Sequence, residues 1–234
     1  MGRIDKLFRA LSRPAYWPAL ARGVVPGVEH DAAFEGRDVA TVIDAGVNKG
    51  QFACFAQARW PHARLICFEP LPGPRRRLRS VTSGSATIHP LALGDTPGQA
   101  RMHLASREDS SSLLAPGKRQ AEVFGVTEAG AAEVRVDRLD AVLDAGDLAR
   151  PVLLKIDVQG FEYELLKGAQ GVLHAIDLVY VECSFEALYD GQKLAGEVAA
   201  LLAEAGFAQS GRFNLDHDAQ GALVQADLLF QRIS

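Results

Sequence analysis

Apolar runs alternate with segments of helical periodicity from Arg37 onward, a pattern typical of the βαβ units that build a parallel sheet. Five continuously apolar runs predict buried core strands, at residues 38–45, 63–70, 85–93, 151–158 and 177–185. Helices are predicted over 51–59, from Gly73, from Phe161 and over 193–205. Residues 98–105 alternate and predict an added strand, and two closing strands are expected near 207–213 and 223–231. The pattern therefore predicts an α/β fold.

The chain is predicted to divide into an N-terminal helical segment, residues 1–36, and one α/β domain, residues 37–234. Within the domain, residues 106–133 are rich in Ser, Gly, Ala and Glu. A polar stretch of this length is typical of a lid or a substrate loop. We therefore expect one folded unit with a long loop beside its site.

The residues before Pro14 predict a short amphipathic helix. Its apolar face carries Ile4, Leu7, Phe8 and Leu11, and its other face carries Arg3, Lys6, Arg9 and Arg13. Such a helix can bind a membrane surface or a partner protein, but one short helix binds lipid only weakly. The pattern favours the alternative of a helix docked on the domain with its charges in water. Weak peripheral association with a membrane stays open.

Composition narrows the class of protein. Of 234 residues, 48% are hydrophobic and 23% are charged, as in an ordinary packed globular protein. A net charge of −4 and a pI near 5.9 give no reason to expect nucleic acid as a partner. Three cysteines far apart in sequence predict buried free thiols in a reducing compartment. No secretory leader and no membrane-spanning run is evident, so we expect a cytoplasmic protein.

The most informative stretch is VIDAGVNKGQFACF, residues 42–55, which predicts a strand ending near Asp44, a glycine turn and a helix. A dinucleotide fingerprint would need three glycines, but Asn48 and Gln51 occupy two of the positions. No P-loop sequence occurs in the chain. An acid beside a helix N-terminus suits a zwitterion, because the carboxylate attracts an ammonium and the helical N–H groups attract an anion. S-adenosylmethionine has both groups and no phosphate.

A second acid, Glu69, closes the second predicted strand 25 residues after Asp44. Strand-end acids at about this offset bind ribose hydroxyls in doubly wound folds, and one carboxylate can accept from two hydroxyls. Structural alternatives stay open for both acids. Asp44 would belong to a tight, capped turn with Gly46 and Gly50, and Glu69 would be a solvated strand end before Pro70.

Seven segments in order resemble the FkbM-type family of S-adenosylmethionine-dependent methyltransferases over about residues 40–230. They are VIDAGVNKGQF, CFEP, HPLALGD, DSSSLL, VRVDRLD, LLKIDVQGFEYELLKGA and VYVECSFEALY, of which KIDVQGFE is the most specific. The resemblance implies a Rossmann-like class I methyltransferase fold, with a seven-stranded, mostly parallel sheet, helices on both faces and an antiparallel last strand. It also implies methyl transfer, usually to a hydroxyl oxygen of a sugar, glycan or related secondary metabolite. Gln159 stands where the family often has Glu.

The predicted cofactor is S-adenosyl-L-methionine. By resemblance to the fold, Ala92 and Leu93 after the third strand would line its adenine. Ser111 in the polar loop would hydrogen-bond the cofactor or a sugar, although a serine run in a loop is usually only solvated. The complete predicted cofactor set is Asp44, Gly46, Asn48, Gly50, Gln51, Phe52, Glu69, Pro70, Ala92, Leu93 and Ser111.

Catalytic candidates are expected at the carboxyl ends of the strands, where ligands bind in such sheets. An alcohol that accepts a methyl group must lose its proton, and Asp157 after the fourth core strand is predicted as the base or as a metal ligand. Glu182 on the next strand would form a carboxylate pair with Asp157, and this pair suits Mg²⁺. The alternative for Glu182 is a simple partnership with a buried donor such as Lys155.

The histidines are mostly without a predicted role, and His30 lies in a segment that looks exposed. His217 is the exception, because a turn between the last two strands would lie on the ligand side of this sheet. It is predicted as a base or, with Asp216 and Asp218, as part of a metal cluster. A polar hairpin loop is the alternative.

Two other functions stay open. A nicotinamide-dependent dehydrogenase would share the fold class, but the missing third glycine disfavours it. A non-catalytic cofactor-binding scaffold would keep the sheet without turnover, and the presence of Asp44, Glu69 and Asp157 disfavours it. The expected acceptor is a hydroxyl of a small molecule or glycan, and no motif indicates which acceptor or which oligomeric state.

Overall fold

The computed structural model describes residues 2–233, and a seven-stranded sheet lies at its centre. The strands are β1 (Thr41–Ala45), β2 (Arg64–Phe68), β3 (Thr87–His89), β4 (Ala92–Leu93), β5 (Gly98–Ala105), β6 (Glu128–Asp137), β7 (Val152–Ile156), β8 (Leu178–Ser184), β9 (Phe207–His217) and β10 (Leu223–Arg232). The order in the large sheet is β3-β2-β1-β7-β8-β10-β9. The first five of these are parallel, and β10 lies antiparallel between β8 and β9. The predicted fold class is confirmed.

Helices cover both faces of this sheet. They are α1 (Arg3–Leu11), α2 (Trp17–Leu20), α3 (Gln51–Arg59), α4 (Pro72–Val81), α5 (Lys118–Phe124), α6 (Leu139–Val142), α7 (Glu162–Lys167) and α8 (Ala195–Glu204). Successive strand residues face opposite sides, so Ile43 shares a core with Leu165 of α7 and Val198 of α8, whereas Val42 shares one with Phe52 of α3. No helix within residues 2–233 has both the length and the apolar character needed to cross a membrane.

The predicted strand over 85–93 is two strands in the structure. β3 joins the edge of the large sheet, while β4 pairs with β6 in a small three-stranded sheet. Pro90 lies between them and has no N–H to donate to a strand ladder. The prediction of one continuous strand is therefore wrong. The added strand predicted at 98–105 is confirmed as β5, which pairs antiparallel with β6.

The polar stretch 106–133 is not one loop, so that prediction is wrong in its length. It contains a 3₁₀ turn, Glu108–Ser110, then α5 and the first half of β6. β6 pairs with β5 through Gly130, Ala131 and Ala132, which are residue types with low strand propensity. The partner strand decides this pairing, and a local pattern could not indicate it.

α1 docks on the domain with the face opposite to the predicted one. Lys6 Nζ lies 2.5 Å from Glu29 Oε1, and Arg13 Nη2 lies 2.6 Å from Asp31 Oδ2. Both acids belong to the 3₁₀ segment Val28–Phe34 that follows. The apolar side chains Ile4, Leu7, Phe8 and Leu11 are exposed. The predicted docking on the domain is found, but it uses the basic face instead of the apolar one, because two acids distant in sequence pair with that face.

The N-terminal segment also contributes to the main core. The ring of Phe34 packs edge-on against Trp60, with ring centroids 5.2 Å apart, and shares a core with Phe55 of α3. The division of the chain at residue 37 stays a prediction. Met1 and Ser234, the two end residues of that division, lie outside the described residues.

Candidate functional site

A cavity of about 610 Å³ opens at the carboxyl ends of the parallel strands. We call the part lined by residues 45–48, 68–71, 91–93 and 107–111 the β1–β2 half. We call the part lined by residues of β7, β8 and β10, by 157–159, by 214–216 and by Lys6, Glu29 and His30 the β7–β8 half. Nine of the eleven predicted cofactor residues line this cavity, and Asp44 and Gly50 do not. Asp157 and Glu182 line it, and His217 does not.

Gly46 and Gly50 shape the turn between β1 and α3 through contacts inside the protein. Both have left-handed backbones, with φ of +79° and +96°. A Cβ on Gly46 would lie 1.8 Å from the carbonyl oxygen of Asp157, and a Cβ on Gly50 would lie 2.9 Å from Val81 Cγ2. Glycine is therefore needed for both backbone conformation and close packing. Gly46 brings the turn against the end of β7, so that the two halves of the cavity adjoin.

Glu69 follows β2 and is the anchored acid of the β1–β2 half. Its Oε1 accepts the Leu71 N–H at 2.7 Å, and its Oε2 accepts the Asn48 N–H at 3.0 Å. Glu69 is 5% exposed, and burial raises its pKa to about 7 despite these two donors. The alternative of a solvated strand end is therefore wrong. Each carboxylate oxygen keeps a second lone pair for a donor in the cavity.

Asp44 lies in β1 beneath the turn and does not reach the cavity wall. It is fully buried, and neither carboxylate oxygen has a hydrogen-bond partner among the described residues. Burial raises the pKa of Asp44 to about 6, although Lys155 Nζ lies 3.8 Å from Oδ1. Buried carboxylate oxygens without donors are costly. They would favour an ammonium nearby, and the predicted contact between Asp44 and a ligand stays a prediction.

The irregular segment after β5 closes the β1–β2 half. Asn48 Nδ2 donates to the Glu108 carbonyl at 3.3 Å, and Ser112 Oγ donates to the Gln159 carbonyl at 2.6 Å. The segment thereby connects the turn after β1 with the turn after β7. Ser111 lines the cavity at this segment, and its contact with a cofactor or a sugar stays a prediction.

Asp157 and Glu182 lie together in the β7–β8 half. Gln159 Nε2 donates to Asp157 Oδ1 at 2.7 Å and to Glu182 Oε2 at 2.9 Å. Lys155 Nζ donates to Asp157 Oδ2 at 3.1 Å, and Gln225 Nε2 donates to Glu182 Oε2 at 2.9 Å. Burial, strengthened by the charge of Asp157, raises the pKa of Glu182 well above its usual range.

Lys155 pairs with Asp157 and not with Glu182, whose buried donor is Gln225 instead. Its side chain is 7% exposed. Burial would lower the pKa of this ammonium, but the charges of Asp157 and Asp44 outweigh burial and raise the pKa. Lys155 consequently stays charged and holds one oxygen of Asp157 in a fixed direction.

Gln159 suits its position because a side-chain amide can both donate and accept hydrogen bonds. Its backbone is left-handed, with φ of +56°, and this turns the side chain back toward the strand ends. The amide nitrogen donates to both carboxyl groups, while Oε1 lies 2.8 Å from the donating hydroxyl of Tyr189. A carboxylate at this position would place a third acid beside Asp157 and Glu182, so the departure from the family pattern relieves repulsion between like charges.

The residues of the β7–β8 half do not fit a magnesium ion. The facing oxygens of Asp157 and Glu182 already share the amide of Gln159. Within residues 2–233, no three His, Cys, Asp or Glu side chains are arranged to hold a metal ion. Near the last turn, His217 is exposed on β9 and Asp218 pairs with Arg119 at 2.5 Å. Asp216 alone of that predicted cluster lines the cavity.

The sequence did not indicate a largely buried polar network in the wall of the β7–β8 half. Asp227 Oδ2 accepts from the Tyr180 hydroxyl and from Asn214 Nδ2, each at 2.8 Å. His30 Nδ1 lies 3.0 Å from the same hydroxyl. Burial raises the pKa of Asp227 to about 6 and lowers that of His30 well below its usual value. The expectation of an exposed His30 is wrong, because its ring packs edge-on against Phe52.

One signal for this network was present in the sequence. Gln225 and Asp227 lie two residues apart in the strand LVQADLLFQR, which is otherwise apolar up to Phe230, so both face the same side of the sheet. Polar side chains are seldom buried there without a partner or a role. No comparable signal marks Lys6, Glu29 or His30, which reach the cavity from the N-terminal segment.

Comparisons with known proteins give a consistent picture. A family model described as Methyltransferase FkbM domain matches residues 44–208. The 2-O-methyltransferase NoeI of Sinorhizobium fredii is 30% identical over 161 residues, which are 64% of this chain and 66% of that protein. The hexuronic acid methyltransferase AglP of Haloferax volcanii is 27% identical over 140 residues, 59% of this chain and 54% of that protein. The matched stretches span less than two thirds of either relative.

Among solved structures, a 1,6-didemethyltoxoflavin-N1-methyltransferase of Burkholderia thailandensis is similar with a TM-score of 0.48 and 12% sequence identity. The similarity covers 98% of this chain and 83% of that chain.

Proposed function

Because the chain belongs to the FkbM methyltransferase domain family, we propose that it is an S-adenosylmethionine-dependent O-methyltransferase. Its proposed acceptor is a hydroxyl of a sugar or glycan. The observation that carries this proposal is the Asp157–Glu182 pair, joined by Gln159, in the same cavity as the anchored acid Glu69. The names of the relatives NoeI and AglP support a sugar as the acceptor.

The β1–β2 half is proposed to hold the cofactor. Glu69 is fixed by two backbone donors and keeps lone pairs for the two ribose hydroxyls. Asp44 lies beneath the turn without reaching the cavity wall, and its charge is proposed to attract the ammonium group of the cofactor from there. Ala92 and Leu93 supply an apolar wall for a base. When bound, S-adenosylmethionine supplies a methyl group on a positively charged sulfur. A nucleophile in line with the carbon–sulfur bond takes the methyl group, and the neutral thioether leaves.

We propose that Asp157 removes the proton from the acceptor hydroxyl. Its side chain is 33% exposed, whereas Glu182 also lines the cavity but has a pKa raised well above its usual range by burial. Lys155 and Gln159 each donate to one oxygen of Asp157 and fix its direction, and both oxygens keep a lone pair for a hydroxyl. Alignment of the acceptor oxygen supplies much of the rate, and removal of its proton by Asp157 adds general-base catalysis.

Side-chain amides and carboxyl groups dominate the β7–β8 half, among them Asn214, Asp216 and Gln225. Sugar hydroxyls both donate and accept hydrogen bonds, so a mixed set of donors and acceptors suits them. The proposal contains no magnesium ion, because the facing carboxyl oxygens are already paired with Gln159.

Three buried free cysteines support the expected cytoplasmic location.

Calorimetric titration with S-adenosylmethionine and, separately, with NAD tests the proposed cofactor. We expect S-adenosylmethionine alone to bind, with a Kd in the micromolar range. This Kd corresponds to a binding free energy of about −8 kcal/mol. The Glu69→Ala variant is expected to bind at least about tenfold more weakly, because two charge-assisted hydrogen bonds are lost. Binding of NAD instead, or full affinity in Glu69→Ala, would contradict the assignment.

A further inference from the structure

The outer face of α1 is an apolar surface that no described residue covers. Among residues 2–233, seven large apolar side chains are exposed, and five of them lie between residues 4 and 17. These five are Ile4, Leu7, Phe8, Leu11 and Trp17. The first four share one stripe of α1, and Trp17 Nε1 donates to the Leu11 carbonyl at 2.9 Å, so the indole continues the stripe. We call these five residues the α1 face.

The α1 face is held outward by the ion pairs on the opposite side of the helix. Lys6 pairs with Glu29, and Arg9 and Arg13 both reach Asp31, at 3.6 and 2.6 Å. A helix that only needed to cover the domain would turn its apolar side inward. The observed orientation instead leaves the apolar side chains in water, which costs free energy in proportion to the area exposed.

Charge around the α1 face indicates the kind of surface that would cover it. Residues 1–22 contain five basic residues and one acidic residue, so this segment carries a net charge of +4 and the rest of the chain −8. The side chains of Arg9 and Arg13 stay 51% and 40% exposed beside the apolar stripe. A helix that lies in the headgroup region of a bilayer turns apolar and aromatic side chains toward the acyl chains and has basic groups beside them. The α1 face has the same arrangement.

We propose that the α1 face docks on a bilayer that contains anionic lipids. A second copy of this chain is disfavoured, because a nine-residue helix is only about 14 Å long and presents far less than the roughly 800 Å² per partner of a stable protein interface. A bilayer needs no shape complementarity and accepts a narrow stripe. Lys6 of the same helix lines the cavity, so docking would hold the cavity beside the membrane surface.

Flotation with vesicles of equimolar phosphatidylcholine and phosphatidylglycerol tests this proposal. The wild-type protein is expected to float with these vesicles and to bind pure phosphatidylcholine less. The double variant Ile4→Glu/Phe8→Glu is expected to bind at least about tenfold more weakly, because two inserted apolar side chains become charged. Ile233→Glu is the matched control, since Ile233 is 62% exposed and does not belong to the α1 face, and its binding is expected to equal that of the wild type.

Tryptophan emission gives a second measurement that does not depend on the charged variants. The chain has two tryptophans, and Trp60 is buried, so a vesicle-dependent blue shift reports Trp17. Trp17→Phe is expected to abolish the shift while the protein still floats. The proposal is overturned if wild type stays in solution with anionic vesicles, if the double variant floats equally well, or if wild type forms a dimer that the double variant loses. Equal melting temperatures establish that both charged variants are folded.

Discussion

Gln159 Nε2 lies 2.7 Å from Asp157 Oδ1, and this hydrogen bond fixes the acid that faces the cavity. The same nitrogen donates to Glu182, whose pKa is raised well above its usual range by burial. One amide therefore joins the proposed base to a second carboxyl group whose pKa is raised. The division of roles between the two acids depends on this side chain.

Removal of the Gln159 amide should impair turnover without affecting the cofactor. We expect Gln159→Ala to lower kcat by about tenfold or more, because Asp157 loses one of the two donors that orient it. Its Kd for S-adenosylmethionine should stay within about twofold of the wild-type value by calorimetry. Gln209→Ala, on the exposed part of β9, is the control and should change neither quantity. A larger change in Kd than in kcat would place Gln159 at the cofactor instead.

The conservative change Gln159→Glu should make activity more sensitive to pH. A third carboxyl group beside Asp157 and Glu182 has a raised pKa, so at low pH its proton can replace the amide donor. As pH rises the proton leaves and the like charges repel. The ratio of variant to wild-type kcat should therefore fall with increasing pH, and a ratio that rises or stays constant would contradict this electrostatic account.

The proposed base is tested by Asp157→Asn. The amide keeps the shape of the side chain but cannot take the acceptor proton, so kcat should fall by about a hundredfold or more. Cofactor affinity should stay within about twofold. Asp147→Asn is the control, because Asp147 is exposed and does not line the cavity. Retention of more than about a third of wild-type kcat would remove Asp157 from the proton-transfer role.

Cofactor binding should depend on pH through Glu69. Burial raises its pKa to about 7, so the free protein holds a proton there in the acidic range and releases it as pH rises. The ionised carboxylate is the better acceptor for ribose hydroxyls. The Kd for S-adenosylmethionine should therefore fall by about five- to tenfold between about pH 6 and about pH 8. The Glu69→Gln variant should bind S-adenosylmethionine weakly, with little pH dependence. The control Glu204→Gln, at an exposed position on α8, should behave as the wild type.

The turn after β1 should tolerate no side chain at Gly46. An alanine there would adopt a left-handed backbone and place its Cβ 1.8 Å from the Asp157 carbonyl. Gly46→Ala should lower the free energy of unfolding by about 3 kcal/mol or more. Gly191→Ala is a matched control with φ of +78° and no atom within 4 Å of the added Cβ, and it should cost about 1 kcal/mol. Denaturant unfolding measures both, and equal losses would exclude the steric cause.

The sequence predicts those site residues that directly follow an apolar run, because each of them can be recognised within its own segment. The turn from Asp44 to Gln51, the strand-end acid Glu69 and the acid Asp157 all follow apolar runs, and parallel strands carry such residues to one edge of a sheet. The fold class follows from the same runs. These predictions needed no knowledge of which remote residues meet.

Contacts between remote segments were beyond prediction. His30 meets Tyr180 and Asp227 only because the N-terminal segment folds over the sheet. The orientation of α1 depends on Glu29 and Asp31, which no periodicity relates to that helix. The apolar stripe was visible in the sequence, but which side faced water was decided by these ion pairs.

Transfer of a radiolabelled methyl group from S-adenosylmethionine to a panel of free sugars, uronic acids and nucleotide sugars is the most direct test of the proposed function. We predict label on a sugar that survives alkali, because a methyl ether at a hydroxyl is stable to base, whereas a methyl ester of a carboxylate is hydrolysed. Asp157→Asn should abolish this label. No transfer to any sugar, or only alkali-labile label, would contradict sugar hydroxyl methylation by this protein.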